Sequence, residues 1–366
     1  MIAVASALKI RPVTTAAERA EWDALAAASR VGHRHQCLWW MEPLAQYGFE
    51  TQALGCWRDN QLIGGALFRS YRVPYTGMVV SECLDGPIFL TWETSWAGEL
   101  VNAMEDLAQK ANSMALVIRD CPDPALHRDI LEIMRRRGLP VVQTPGPVDA
   151  VLQLEGRTPD DIRAGFNRGT RARIRKSKQN GEFEVRRLST SKDLAEAYGA
   201  WMASAKRKGF TDVRPWAGLE PVLLHCVNNG YGTVLGSYAE NRLIGAAFVV
   251  HIGSSAAYVY GGYVDGTEKF SPTHLLQHEA IREAQEKGFA SYNFGNFLGH
   301  QQPRAQGVDE FKRGFGAVPM RHLDTIIWKR KAMLYDAVER IRQARIGRTL
   351  EVILRNRLIR RGDTAV

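Results

Sequence analysis

Apolar positions recur along the chain with two periods, and each change of period marks a new element. Residues 8–13 alternate apolar and polar and predict a strand. Thr14 or Thr15 then caps a helix running to Ala28, rich in Ala, Glu and Leu. A second helix is predicted over residues 38–46, with Trp39 and Trp40 as core or lining residues. Residues 51–57 and 61–71 read as strands joined by an Asp59-Asn60 turn. After a turn at Asp85-Gly86-Pro87 come an amphipathic helix over 95–112, a strand over 114–118 and a helix over 124–138. Strands follow over 141–154, interrupted by Pro145-Gly146-Pro147.

The pattern then starts again. Residues 183–188 predict a strand, 191–208 a helix capped at Ser191, and 233–238 and 242–251 two strands about a Glu240-Asn241 turn. A strand over 256–264, a helix over 273–287 and a strand over 290–294 complete it. Asp59-Asn60-Gln61-Leu62-Ile63-Gly64 parallels Glu240-Asn241-Arg242-Leu243-Ile244-Gly245, and the helix-to-strand segment 105–118 parallels 282–294 at nearly the same offset. Two matches at nearly one offset imply an internal duplication. The expected fold is therefore α/β (α+β): two tandem domains of one type, each with a mostly antiparallel mixed sheet. The expected boundaries are 1–150 and 151–317, with residues 318–366 forming a strand and a basic helix that pack back on the first domain.

Between the copies lies Gly165 to Gly181. Five of the eight residues from Arg171 to Lys178 are basic, and only Ala172 and Ile174 are apolar there. A helix this charged cannot bury its circumference, so most of its surface must face water or anions. Asn180-Gly181 suits its C-cap.

Charge sharpens this reading. The chain has 366 residues and a net charge of +9, a surplus that favours polyanionic partners. Hydrophobic content of 45% is that of an ordinary globular protein. The five cysteines show no zinc-like spacing, so no structural metal is expected, and buried thiols in a reducing compartment fit them. No stretch approaches a membrane span and no leader is recognisable, which reads as cytoplasmic.

The repeated order of elements resembles the GNAT acyltransferase fold, which usually binds coenzyme A through Gln/Arg-x-x-Gly-x-Gly/Ala. Gln61-x-x-Gly64-x-Ala66, Arg242-x-x-Gly245-x-Ala247 and Gln285-x-x-Gly288-x-Ala290 match literally but fall inside predicted strands or at a helix end. The expected place holds Lys269-Phe270-Ser271-Pro272-Thr273, where proline removes a donor. Coenzyme A is therefore not expected, nor any other cofactor.

More specifically, the chain resembles the Fem-type (FemABX-like) tRNA-dependent aminoacyltransferases, which build peptidoglycan cross-bridges, over roughly residues 5 to 330. The duplication carries the match, with the basic helix Arg168 to Lys178, the run Ser271-Pro272-Thr273-His274-Leu275-Leu276, and above all Val308-Asp309-Glu310-Phe311-Lys312-Arg313-Gly314-Phe315-Gly316. Two departures stand out. Tyr292-Asn293-Phe294-Gly295 replaces Tyr-Asp-Phe-Gly in the late strand, and the coiled-coil arm of some members is absent. The resemblance implies transfer of an amino acid from aminoacyl-tRNA to an amine on a peptidoglycan precursor or a small peptide-like metabolite. In that scheme Lys312 is the catalytic electrostatic stabiliser. Phe311 and Phe315 stack the terminal adenine or lie in the core, and Arg313 contacts phosphate or is merely exposed. Arg168, Arg171, Arg173, Arg175, Lys176 and Lys178 bind tRNA. Asp85 and Trp39 fall on the acceptor side, Asp85 being otherwise a plain turn aspartate. His33, His35 and His300 read as polar surface or lining residues, and no histidine pattern suggests a metal. The basic tail with Arg340, Arg342, Arg345 and Arg348 packs on the first domain, touches tRNA or approaches an anionic membrane surface. A monomer is expected. The rival readings are an acyl-CoA-dependent N-acyltransferase and a non-catalytic RNA- or envelope-associated binding protein.

Overall fold

The structure, a computed structural model, describes residues 8–179, 183–209, 214–297 and 306–343. The chain forms two compact units, one from Met1–Gly146 with His322–Val366 and one from Pro147–Arg321.

The first unit opens with β1 (Lys9–Pro12) and α1 (Ala16–Ala28). Thr15 and Glu18 form a reciprocal capping box at the start of α1, which satisfies two otherwise orphaned amides. The helix expected over 38–46 is split. α2 (Leu38–Met41) gives way to a 3-10 segment, Glu42–Tyr47, because Pro43 sits at its start and Gly48 ends it at φ +82. Then follow β2 (Phe49–Arg58), β3 (Gln61–Val73), β4 (Met78–Leu84), β5 (Ile88–Phe89), α3 (Ala97–Lys110), β6 (Ser113–Arg119), α4 (Pro124–Arg136) and β7 (Val141–Thr144). The sequence pattern does not predict β4 and β5. β4 is buried nearly throughout, its Ser81 and Glu82 included, without the alternation of a half-buried strand.

The second unit contains β8 (Val148–Gln153), α5 (Pro159–Ala164), α6 (Arg168–Gln179), β9 (Phe183–Leu188), α7 (Ser191–Lys208) and α8 (Trp216–Asn228). It continues with β10 (Gly232–Ala239), β11 (Arg242–Ile252), β12 (Ser255–Tyr263), α9 (Pro272–Glu286), β13 (Ser291–Asn296), α10 (Gln306–Gly314) and β14 (Val318–Arg321). Thr190, not Ser191, caps α7, since its hydroxyl accepts from the Asp193 amide at 3.2 Å. The chain then returns to the first unit as β15 (Thr325–Trp328) and α11 (Ala332–Gln343). β14, grouped by the sequence with the C-terminal segment, pairs instead with β8.

The sheets run β1-β2-β3-β4-β6-β15-β7, with β5 on β3, and β14-β8-β13-β12-β11-β10-β9. Each holds one parallel pair among the described residues, β4 with β6 and β12 with β13. The hairpins β2–β3 and β10–β11 turn through residues of positive φ, Asp59-Asn60 and Glu240-Asn241. Both carry a register shift at the same repeat position, Cys56/Trp57 and Ser237/Tyr238. A shared bulge is a strong mark of common design, so the duplication extends to backbone detail. In the first unit α3 and α4 cover one face of the sheet with Leu100, Met104, Ile130 and Met134. Tyr335 of α11 packs on the other face with Val80 and Met114. In the second, Leu276, Ile281, Tyr292 and Phe315 belong to one core. All five cysteines are buried free thiols. No helix among the described residues is long and apolar enough to cross a membrane.

Candidate functional site

The basic helix α6 buries one narrow stripe, Thr170, Ile174 and Ser177, at helical spacing. Asn167 accepts from the Thr170 amide at 2.8 Å and so caps its start. Arg168, Arg173, Arg175, Lys176 and Lys178 are exposed. Two of the expected tRNA contacts have intramolecular work as well. Arg171 donates to the carbonyls of Ala164 and Phe166 and holds the turn before the helix. Lys178 pairs with Glu279 of α9 at 3.1 Å. Arg173, Lys176 and Ser177 line a cavity of about 130 Å³ with Phe183, Lys269, Phe270 and Ser271. The resemblance assigns no role to Lys269, yet it brings a third cation to this cavity.

The segment Val308 to Gly316 folds as α10 and the turn after it. Gly314 has no room for a side chain, because a Cβ there would meet the Thr170 hydroxyl at 2.6 Å. Its carbonyl accepts from the Asn167 amide at 2.9 Å. Gly316 has φ +76 beside the Gly165 carbonyl. The two glycines therefore dock α10 onto the start of the basic helix.

Lys312 is buried at 7% exposure. Its Nζ donates to the carbonyls of Asn296 at 2.6 Å and Gly295 at 3.2 Å, where β13 ends. Burial pushes its pKa down to about 8, although Asp309 and Asp149 favour the charged form. An acid lies beside Asn293 all the same. Asn293 donates to the Asp149 carboxylate on β8 at 2.7 Å, and Asp149 acts electrostatically on Lys312. Asp149 and Asp309 escape sequence reasoning because one lies in a strand of a different segment and the other in a motif read for its basic residues.

Phe315 is corrected as an adenine-stacking residue. Its ring is fully buried, 5.1 Å from Phe166, 5.2 Å from Phe311 and 5.7 Å from Phe294, so neither face is open to a base. Phe311 is only partly buried, edge-on to His274 at 5.0 Å. Burial, and then the charge of Arg173, lower His274 to about 4, so it is neutral at ordinary pH. Arg313 is exposed over the Phe297 ring at 4.9 Å.

The acceptor-side residues form a separate cluster in the first unit. Gln36 is fully buried in a 3-10 turn over Arg34–Gln36. The β3–β4 ladder stops at Phe68 and Cys83. Beyond it the Gln36 amide bridges the parted strands, accepting from the Leu67 amide at 2.9 Å and donating to the Leu84 carbonyl at 2.7 Å. Gly86 is needed beside it, since a Cβ would meet the Gln36 side chain at 2.5 Å. This clamp sets Asp85, at φ +49, against two histidines. Its Oδ2 lies 2.7 Å from His35 Nδ1 and 2.9 Å from His33 Nδ1. Burial alone would raise the Asp85 carboxyl, but the two histidines hold it well below the usual carboxylate range. It is thus more than a plain turn aspartate. His33 and His35 are its partners rather than unconnected lining residues, a relation that only the fold shows. Trp40 is buried, edge-on to His35 at 6.4 Å and to Trp39 at 5.9 Å.

The three ligand atoms of His33, His35 and Asp85 lie within 4.8 Å of one another, close enough to hold a cation. Arg34 Nη1 is 2.8 Å from His33 Nε2, and a guanidinium only donates, so Nε2 accepts there. His33 Nδ1 faces both the Asp85 carboxylate, at 2.9 Å, and the His35 amide, at 3.4 Å. His300 and Gln301, and the tail beyond residue 343 with Arg345 and Arg348, lie outside the described residues, as does Asn180-Gly181.

Comparison with known proteins places this architecture. The acetyltransferase (GNAT) domain family matches residues 164–313. A stretch of 111 residues is 23% identical to lipid II:glycine glycyltransferase of Staphylococcus haemolyticus (strain JCSC1435), covering 30% of this chain and 26% of that protein. The chain thus matches about a quarter of that relative's length. The structure of FemX superposes with a TM-score of 0.75 at 16% identity, covering 90% of this chain and all of that one. The C-terminal domain of a putative lysylphosphatidylglycerol synthetase from Agrobacterium fabrum superposes with a TM-score of 0.56 at 10% identity, over 90% of this chain and 97% of that one. With two units of the same bulged hairpin and parallel strand pair, and these likenesses across nearly its whole length, the chain has the fold of two tandem GNAT-like domains that FemX also shows.

Proposed function

We propose that the protein transfers an aminoacyl group from aminoacyl-tRNA to an amine of a peptidoglycan precursor or a small peptide-like metabolite. The observation that carries this reading is the buried Lys312 ammonium on a helix docked onto the start of the basic helix α6. An aminoacyl ester is already activated, so the protein must chiefly position the amine and offset charge on the carbonyl and ribose oxygens. Lys312 supplies that charge in a dry setting, and Arg173, Lys176 and Lys269 supply phosphate contacts on the same unit. The glycyltransferase likeness supports a peptidoglycan-type acceptor.

The loop before α9 supports tRNA over coenzyme A. A pyrophosphate cradle needs free backbone amides. Here the Phe270 amide bonds Thr267, the Ser271 amide bonds Glu268, and the His274 amide bonds Ser271. Pro272 has none to give. Anion binding at this place therefore falls to side-chain cations, which suit a polyphosphate backbone.

The test is single-turnover transfer. The protein is mixed with a set of radiolabelled aminoacyl-tRNAs and candidate amines, including a lipid II-type pentapeptide. Label appearing in an amide product supports the reading. Label staying on tRNA, together with acyl transfer from acetyl-CoA, would replace it with an acyl-CoA-dependent transferase.

A further inference from the structure

We infer that one end of the first unit, the outer face of α11 with the tip of the β3–β4 hairpin, docks on an anionic lipid bilayer surface. The inference goes beyond the proposed transfer and does not depend on it. α11 packs inward through Tyr335 and Val338, against Val73, Val80 and Met114 of the sheet. Met333, Ala337 and Ile341 follow one another at a spacing of four and line the opposite side, with Leu334 beside them. All of these are exposed, Met333 at 88% and Ile341 at 62%. A helix on a protein surface ordinarily turns polar residues to water on this side. Here apolar side chains take their place and cations border them. Residues 329–342 carry Lys329, Arg330, Lys331, Arg340 and Arg342 against Asp336 and Glu339. Both acids are already paired, Asp336 with Lys329 at 2.6 Å and Glu339 with Arg342 at 3.1 Å. Lys331 and Arg340 stay exposed.

A second feature lies at the same end. Tyr75 is fully exposed at the hairpin tip, held there at φ +65. The base of that hairpin, Val73 and Met78, packs in the same cluster as Tyr335, and Asn112 donates to the Gly77 carbonyl at 3.2 Å. Arg330 donates to the carbonyls of Ala108 at 2.8 Å and Ser113 at 2.7 Å, so the exposed Lys110 that ends α3 also stands beside the start of α11. This combination suits a membrane interface. Apolar side chains enter the acyl boundary, the tyrosine keeps its hydroxyl wet while its ring is covered, and lysine and arginine reach the anionic headgroups.

Other occupants fit this end less well. Residues 344–366 carry Arg345, Arg348, Arg355, Arg357, Arg360 and Arg361 against Glu351 and Asp363. Their charge has the same sign as that bordering the stripe, so it opposes their lying over it and adds to the attraction of an anionic surface. A second copy would likewise bring like charge to like. A tRNA backbone satisfies the cations but offers nothing to Met333 and Ile341, whereas a bilayer interface takes both kinds of side chain.

The experiment sediments the full-length protein with vesicles, either phosphatidylcholine alone or an equal mixture of phosphatidylcholine and phosphatidylglycerol. Binding should favour the mixed vesicles and weaken as salt is raised. Met333→Gln with Ile341→Gln should lower partitioning about tenfold or more, with the melting temperature retained because both side chains face water. Tyr75→Ser should lower it less. All five native cysteines are buried, so a polarity-sensitive label on Ile341→Cys reports that position, and its emission should shift to the blue on the mixed vesicles. No binding to mixed vesicles, binding that the paired glutamine variant leaves unchanged, or an unshifted label on bound protein would each overturn the inference. So would a dimer in analytical ultracentrifugation that the glutamine pair dissolves, or tRNA binding that the pair weakens, since either gives this face to another partner. None of these outcomes bears on the proposed transfer, which its own kinetics decide.

Discussion

Lys312 shows how burial changes what a residue can be asked to do. A surface lysine could be replaced at little cost, whereas this one satisfies two carbonyls at the end of β13. Lys312→Met should therefore lower transfer by about 10²–10³-fold and also cost about 1–3 kcal/mol, since a buried acceptor loses its donor. Chemical denaturation beside single-turnover kinetics checks both parts. The pH dependence has opposite signs for the two properties. With a folded pKa of about 8, below its unfolded value, the unfolded chain binds more protons above that pH. Stability from this group should thus rise between pH 8 and the ordinary lysine range. A rate that needs the ammonium should fall over the same window, and Lys312→Arg should flatten the fall. A rate that climbs steadily through pH 9 would remove the ammonium from the mechanism. Phe315 separates from Phe311 by the same reasoning. Phe315→Ala leaves a core cavity and should cost about 3–5 kcal/mol. Phe311→Ala, at a partly buried site, should destabilise less and weaken tRNA binding more.

At the scale of elements, α6 keeps its cations exposed by burying a single stripe, Thr170, Ile174 and Ser177. Replacing Arg173, Lys176 and Lys269 with alanine should weaken tRNA binding across tRNA species. It should also flatten the dependence of log affinity on log salt by about 0.7 for each lost contact with the single-stranded end. An unchanged salt slope, read by filter binding, would detach the cavity from tRNA. The docking of α10 on α6 makes a second claim. Gly314→Ala drives a methyl group toward the Thr170 hydroxyl, so it should lower the melting temperature, and Thr170→Ala in the same chain should restore part of it.

On the scale of the whole molecule, duplication is closed off by a strand exchange in sequence order. β15 comes last among the strands but lies between β6 and β7 in the first unit. Ending the chain after Arg321 would leave two strand edges unpaired where one central strand had been. Residues 147–321 alone should unfold cooperatively, while a chain ending at 321 should show a first-unit transition that is lowered or lost. Scanning calorimetry on the two shortened chains separates these outcomes.

The sequence by itself determined most elements and the repeat, because both are local. Periodicity found α1, α3, α7 and α9, and the turn pairs Asp59-Asn60 and Glu240-Asn241 placed both hairpins. It also placed α6 on the surface, since no core accepts that many cations. It could not see β4, where burial on both faces erases alternation, or α8, which lies against the sheet with Pro221 inside it. Tertiary structure alone decided the sites. It buried Lys312 and Phe315, which a motif presents as a run of equal residues, and it brought Asp149 toward Lys312 from another strand. It also joined His33 and His35 to Asp85 across some fifty residues. Hydrogen bonds of that span depend on where strands part and which amide bridges the gap, and no local pattern of residues encodes that.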